Sequence, residues 1–107
     1  MCGRFVNIEK KEKIEKLFPS SKVLNYSNKS YNISPSNLIN VIYKNNNSIY
    51  IDNLFWSFSY FNKLNNITQF VINARIETIV SKYLFKESFI KRKCLIISNG
   101  YFEWKKI

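Results

Sequence analysis

Between Asn37 and Phe58 the chain carries two runs rich in Ile, Val, Tyr and Phe, joined by three successive asparagines, and this feature restricts the fold more than any other. β-Branched and aromatic side chains suit a pleated, half-buried surface, and asparagine tolerates the left-handed backbone that a tight hairpin turn demands. The pattern predicts strands over residues 37–44 and 48–58, closed by Asn45, Asn46 and Asn47.

The flanking segments predict a mixture of helix and strand. Residues 7–18 read as a helix capped by Asn7, with Glu9 in the first turn, Ile8, Ile14, Leu17 and Phe18 near one face, and Pro19 ending it. A third strand is predicted over 69–73 and a short helix over 76–85, with Ile79, Val80, Tyr83 and Leu84 available to a core. The apolar run 94–97 turns at Asn99-Gly100 into 101–104, as a second hairpin or a bent strand pair. Asparagine-rich patches at 45–47 and 62–66 are expected as surface loops. Together these elements make an α+β fold with a mainly antiparallel sheet, since short turns separate most strands.

At 107 residues the chain has room for one domain with one small core. Seventeen Lys plus Arg against seven Asp plus Glu leave +10, a balance suited to a polyanion or an acidic membrane surface. The heavy use of Asn, Ile, Lys, Phe and Tyr is also what an AT-rich genome produces, which would put lysine on a solvated face for no functional reason. Cys2 and Cys94 are the only cysteines and histidine is absent, too little for a disulfide-stapled scaffold or a zinc site, so neither metal nor cofactor is expected. No apolar run reaches the roughly 18 residues of a membrane span, and the expectation is a reduced, intracellular protein without a membrane partner.

Cys2 is the residue with the most unusual chemistry available to it. A small side chain at the second position normally permits removal of the initiator methionine, which would make Cys2 the N-terminus. A terminal cysteine offers a thiol and an α-amine on adjacent carbons, both partly nucleophilic near neutral pH. An aldehyde attacked by the amine gives a Schiff base, and the thiolate then closes a five-membered thiazolidine ring. Such a thiol can equally attack a peptide carbonyl, and a second-position cysteine can also have no role at all.

Three further clusters accompany Met1-Cys2-Gly3-Arg4-Phe5: Asn32-Ile33-Ser34-Pro35, Asn73-Ala74-Arg75-Ile76-Glu77-Thr78, and Arg92-Lys93-Cys94-Leu95-Ile96 running on to Gly100-Tyr101-Phe102-Glu103-Trp104. Singly, each has an ordinary reading: Asn73 or Thr78 as a helix cap, Arg75 as a surface cation, Glu103 as a solvated strand residue, Trp104 as core. In this order they resemble the SOS response-associated peptidase (SRAP) family. The resemblance implies a protein of the DNA damage response that binds single-stranded DNA and crosslinks abasic sites through Cys2. It implies that Asn73 orients the opened sugar or the cysteine amine and that Glu103 transfers protons. Arg4 and Arg75 are implied as phosphate contacts, and Trp56 as support for unstacked bases. Where the family has Trp-Gly-Leu-Ile-Pro, this chain has Trp56-Ser57-Phe58-Ser59-Tyr60.

Family domains run to about twice this length, and their second half carries a His-x-Arg-Met-Pro motif not found here. The resemblance thus implies the N-terminal portion of a single SRAP domain, arising from a split gene, a truncated sequence, or a short variant whose other half comes from a second chain. Two other functions stay open: a cysteine peptidase acting on itself or on other proteins, and an inactive fragment that keeps only nucleic-acid binding.

Overall fold

The computed structural model of the chain describes residues 2–106. They form two compact units, one of residues up to Trp56 together with those from Cys94 onward, the other Ser57–Lys93. The fold is α+β, with mostly antiparallel sheets and two short helices.

In the first unit the hairpin is as the sequence predicts, within a few residues. β4 (Leu38–Asn45) pairs antiparallel with β5 (Ser48–Phe55), from Leu38 opposite Phe55 to Asn45 opposite Ser48. Asn46 and Asn47 close it with φ of 50° and 67°, the left-handed pair that a twisted two-residue turn requires. β5 stops short of Phe58 because the backbone of Trp56 turns to the Pro35 bend instead. Ser36 N–H donates to the Trp56 carbonyl and Trp56 N–H to the Asn37 carbonyl, both at 2.9 Å, with Ser36 at φ 72°.

β2 (Lys22–Val23) joins β5 in parallel and β8 (Leu95–Ile96) joins β4 antiparallel, giving the order β2-β5-β4-β8. A second sheet has the order β3 (Ser30–Ile33), β1 (Arg4–Asn7), β9 (Gly100–Phe102), all antiparallel. β4 is covered on both faces, which explains its nearly continuous apolar run. Ile39 and Val41 pack with Phe5 and Ile33 of the three-stranded sheet. Ile42 points the other way, with Ile51 and Ile97, onto Ile14 of α1 (Lys11–Leu17). The unit is thus sheet, sheet and helix in layers, and each fully buried Ile or Val contributes about 1.5–3 kcal/mol.

Two predicted elements of this unit and the reading of one residue are corrected here. The first helix starts at Lys11 with Lys10 at its N-cap, not at Asn7. Asn7 belongs to β1, where its backbone pairs with Ser30 and its buried side chain accepts the Glu9 N–H at 3.1 Å. Residues 94–97 and 101–104 do not form a hairpin or a single strand pair, because Leu95–Ile96 adds to β4 and Gly100–Phe102 adds to β1 in a different sheet. Trp104, read as core, is fully exposed.

The second unit is a hairpin and a helix. β6 (Phe58–Asn62) pairs antiparallel with β7 (Ile67–Val71), and α2 (Tyr83–Lys91) meets the hairpin through an edge-on contact of Phe58 and Phe85 at 5.4 Å. β7 begins two residues before the predicted strand and ends two before it. The predicted helix over 76–85 is instead a pair of turns: Thr78 and Ile79 N–H donate to the Arg75 carbonyl, then Ser81 and Lys82 N–H donate to that of Thr78. Continuous helix starts only at Tyr83, and Glu87 pairs with Lys91 one turn on. No helix among the described residues is long and apolar enough to cross a membrane.

Candidate functional site

The β1–β9 pairing organises the site. Arg4 lies opposite Phe102, Phe5 opposite Tyr101 and Val6 opposite Gly100. Continuing that register by one residue sets Glu103 beside Gly3, next in the chain to Cys2. Gly3, Arg4, Asn32, Phe102, Glu103 and Trp104 line an open cavity of 700 Å³.

Local sequence explains why these residues meet. Phe5 is buried beneath the sheet, so its neighbours Arg4 and Val6 are turned away from that core by the strand's alternation. Arg4 is exposed, and its Nη1 donates to Asn32 Oδ1 at 3.1 Å across the β1–β3 pair. Arg4 lines the cavity, and among the described residues its other donors have no side-chain partner, an arrangement able to take an oxyanion. The Cys2 thiol donates to the Arg4 carbonyl at 3.4 Å and is half-buried. Cys94 is the other free thiol; although the residue as a whole is exposed, desolvation pushes its thiol above the ordinary range, which disfavours the nucleophilic form.

The turn before β9 is tied down by side chains. Asn99 Oδ1 accepts the Ile8 N–H at 2.7 Å, Asn99 Nδ2 donates to Glu9 Oε1 at 2.8 Å, and Asn99 N–H donates to the Val6 carbonyl at 2.8 Å. Hydrogen bonds from Lys13 and then Asn99 hold the Glu9 carboxyl below its ordinary value, with burial opposing weakly. These bonds fix where β9 enters, and so where Glu103 leaves.

Arg4 and Glu103 therefore line one cavity, and Cys2 precedes its Gly3 wall in the chain. Trp56 lies in the same unit, half-buried, with its ring edge-on to Phe5 at 5.3 Å and packed on the Phe5, Ile33, Ile39 and Val41 cluster. Asn73 and Arg75 belong to the second unit, Asn73 half-buried in the segment after β7 and Arg75 exposed at the first of the two turns. Sequence reasoning missed Asn32 as a site residue. The signal was present, since Asn32 opens the Asn-x-x-Pro cluster, but its contact with Arg4 depends on a strand pairing 28 residues apart. Among the described residues no three His, Cys, Asp or Glu side chains gather closely enough to hold a metal ion.

A family model described as "SOS response associated peptidase (SRAP)" matches residues 1–107. The "Abasic site processing protein YoaM" of Bacillus subtilis (strain 168) is 30% identical, aligned over 100% of this chain and 48% of its own length. "Abasic site processing protein YoqW" of the same organism is 29% identical over 100% of this chain and 49% of its own length. "Abasic site processing protein YedK" of Escherichia coli (strain K12) is 26% identical over 99% of this chain and 49% of its own length. The chain spans about half the length of the curated relatives it matches.

Proposed function

The chain belongs to the SOS response associated peptidase (SRAP) family, and on that premise we propose that it processes abasic sites, binding single-stranded DNA and linking Cys2 covalently to the open-chain aldehyde of the lesion. The observation that carries the reading is the β1–β9 register, which brings a carboxylate, Glu103, beside the residue next to Cys2 in a cavity that also holds the Arg4 cation. The relatives' printed names, all abasic site processing proteins, agree with it.

Each step balances without an external oxidant. With Met1 removed, the Cys2 amine adds to the aldehyde carbon and water leaves, giving an imine. The thiolate then attacks the imine carbon, and the nitrogen takes up a proton to give the thiazolidine. Formation of a five-membered ring within one residue gains from proximity. Glu103 carries protons between the sugar hydroxyl, the amine and the departing water. Arg4 holds a flanking phosphate through the donors not committed to Asn32. Asn73, with a donor and an acceptor on one neutral side chain, orients the opened sugar, Arg75 adds a second phosphate contact, and Trp56 braces the unstacked base.

The test is direct. Mature protein mixed with an abasic single-stranded oligonucleotide gives a slow-migrating covalent product, and Cys2→Ala abolishes it. An adduct of undiminished yield in the Cys2→Ala protein overturns the mechanism, and an intact mass retaining Met1 removes the amine step.

A further inference from the structure

Another cavity, of 800 Å³, lies at the far end of β1 from the candidate site. β1 ends at Asn7, opposite Ser30 at the start of β3, and the chain beyond that pair, residues 8–12 and 26–29, forms most of the wall. Gly3, Arg4 and Glu103 belong to the other end, and the two cavities share no lining residue. At a rise of about 3.3 Å per residue, the four residues of β1 hold them about 10 Å apart.

The lining combines apolar surface with charges of both signs. Ile8 and Tyr31 are 38% and 63% exposed, and half-buried Tyr26 is fixed by its hydroxyl, which donates to the Glu9 carbonyl at 2.8 Å. Among the described residues Lys10 and Lys29 have no carboxylate partner, and Lys11 is held only loosely, 3.9 Å from Glu15. Glu9 is committed to Lys13 and Asn99, which leaves Glu12 as the one acid of the wall without a partner among the described residues.

Three lysines against one unengaged carboxylate favour an anion, and the mixture of signs decides which kind. A DNA backbone carries a charge at every link and no hydrogen-bond donor, so Glu12 repels it. A peptide carries N–H donors along its backbone and carboxylates only where its sequence puts them, so it can satisfy the lysines and Glu12 together. The edge of β3 adds a second reason. β1 flanks it on one side and, among the described residues, no strand flanks it on the other. Backbone groups on such an edge can pair with an extended peptide, and a nucleic acid has nothing equivalent to offer them.

We propose that this end of the three-stranded sheet docks an acidic, extended peptide of a partner protein, with carboxylates on Lys10, Lys11 and Lys29 and an apolar side chain against Ile8, Tyr26 and Tyr31. Docking there is independent of the chemistry proposed for Cys2 and leaves the Arg4–Glu103 cavity open, so both can be occupied at once.

The experiment measures fluorescence anisotropy of a labelled synthetic peptide, a run of aspartates ending in two phenylalanines, with the full chain. The parent chain binds it at low salt, and binding weakens as salt rises. Lys10→Glu/Lys29→Glu weakens it about tenfold, because two attractions become repulsions. Tyr31→Ala weakens it about fivefold through lost apolar contact, whereas Tyr31→Phe retains it. Circular dichroism matching the parent chain confirms that these surface variants fold. Oligothymidylate in excess leaves the peptide bound. Displacement by oligothymidylate makes the cavity part of a nucleic-acid path and overturns the proposal. So does a parent chain that fails to bind the peptide at low salt, or an affinity unchanged by both Lys10→Glu/Lys29→Glu and Tyr31→Ala.

Discussion

Asn99 and Glu9, 90 residues apart in the chain, share a 2.8 Å hydrogen bond, and through it the turn before β9 is fastened to the start of the first helix. The same asparagine accepts the Ile8 N–H, so its removal leaves a backbone donor and a carboxylate with fewer partners. Asn99→Ala lowers the melting temperature at pH 7. The Glu9 carboxyl is held below its ordinary value of 4.5, first by Lys13 and then by Asn99. A carboxyl with a depressed folded pKa adds stability above its unfolded value and loses that addition as pH falls through the folded one. The penalty of Asn99→Ala is therefore largest at neutral pH and shrinks below about pH 4.5, leaving the Ile8 share. Melting curves of both proteins at neutral and acid pH check this, and an equal penalty at both would show that Glu9 takes no part.

Asn40 is buried in β4 and grips a loop rather than its own sheet. Its Oδ1 accepts the Ser27 N–H at 2.8 Å and its Nδ2 donates to the Ser27 carbonyl at 3.2 Å. Asn40→Leu keeps the volume but strands both backbone groups, a loss of about 1–3 kcal/mol. Urea denaturation reads it as a lower midpoint, and a neutral result would mean the loop re-forms its bonds elsewhere.

Asn47 sits at φ 67° in the β4–β5 turn, a conformation costing an ordinary side chain roughly 1–2 kcal/mol. Asn47→Gly is at least as stable as the parent chain, and Asn47→Val is less stable by about that amount. Thermal denaturation should rank the three Gly, Asn, Val. A valine variant as stable as the parent would mean that the turn changes type.

Glu103→Gln keeps the size and polarity of the side chain and removes its capacity to take a proton. On the mechanism proposed above, the rate of adduct formation with abasic single strands falls about a hundredfold or more. Affinity for undamaged single strands stays the same, because the group acts on protons and holds no phosphate. An unchanged crosslinking rate would exclude Glu103 from proton transfer.

The hairpin of β4 and β5 was legible from sequence because composition, alternation and turn residues all agreed on it. The Asn99-Gly100 turn was legible too, but what followed was not. Leu95 and Tyr101 are six residues apart and belong to different sheets, each paired with a strand far away in the chain. Local pattern has no access to such a partner. Asn7 looked like a helix cap because a buried asparagine in a strand and a capping asparagine read alike before a Glu and an apolar run. Ile79, Val80, Tyr83 and Leu84 fitted a helix that begins only at Tyr83, since their spacing also suits two successive turns. As for the candidate site, Cys2, Arg4 and Glu103 were singled out through the motifs that resemble the family's. That Arg4 and Glu103 line one cavity follows from β1 pairing with β9, which no motif encodes.

β9 is three residues long and forms the rim of its sheet, with β1 as its neighbour. Opening it requires breaking only a few backbone bonds, far less than unfolding the layered core around Ile39, Val41, Ile42 and Ile51. Amide protons of Tyr101 and Phe102 should exchange with solvent much sooner than those of β4. Warming therefore disperses the Arg4–Glu103 arrangement while most of the molecule stays folded, so any chemistry that depends on the pair is lost before the molecule melts.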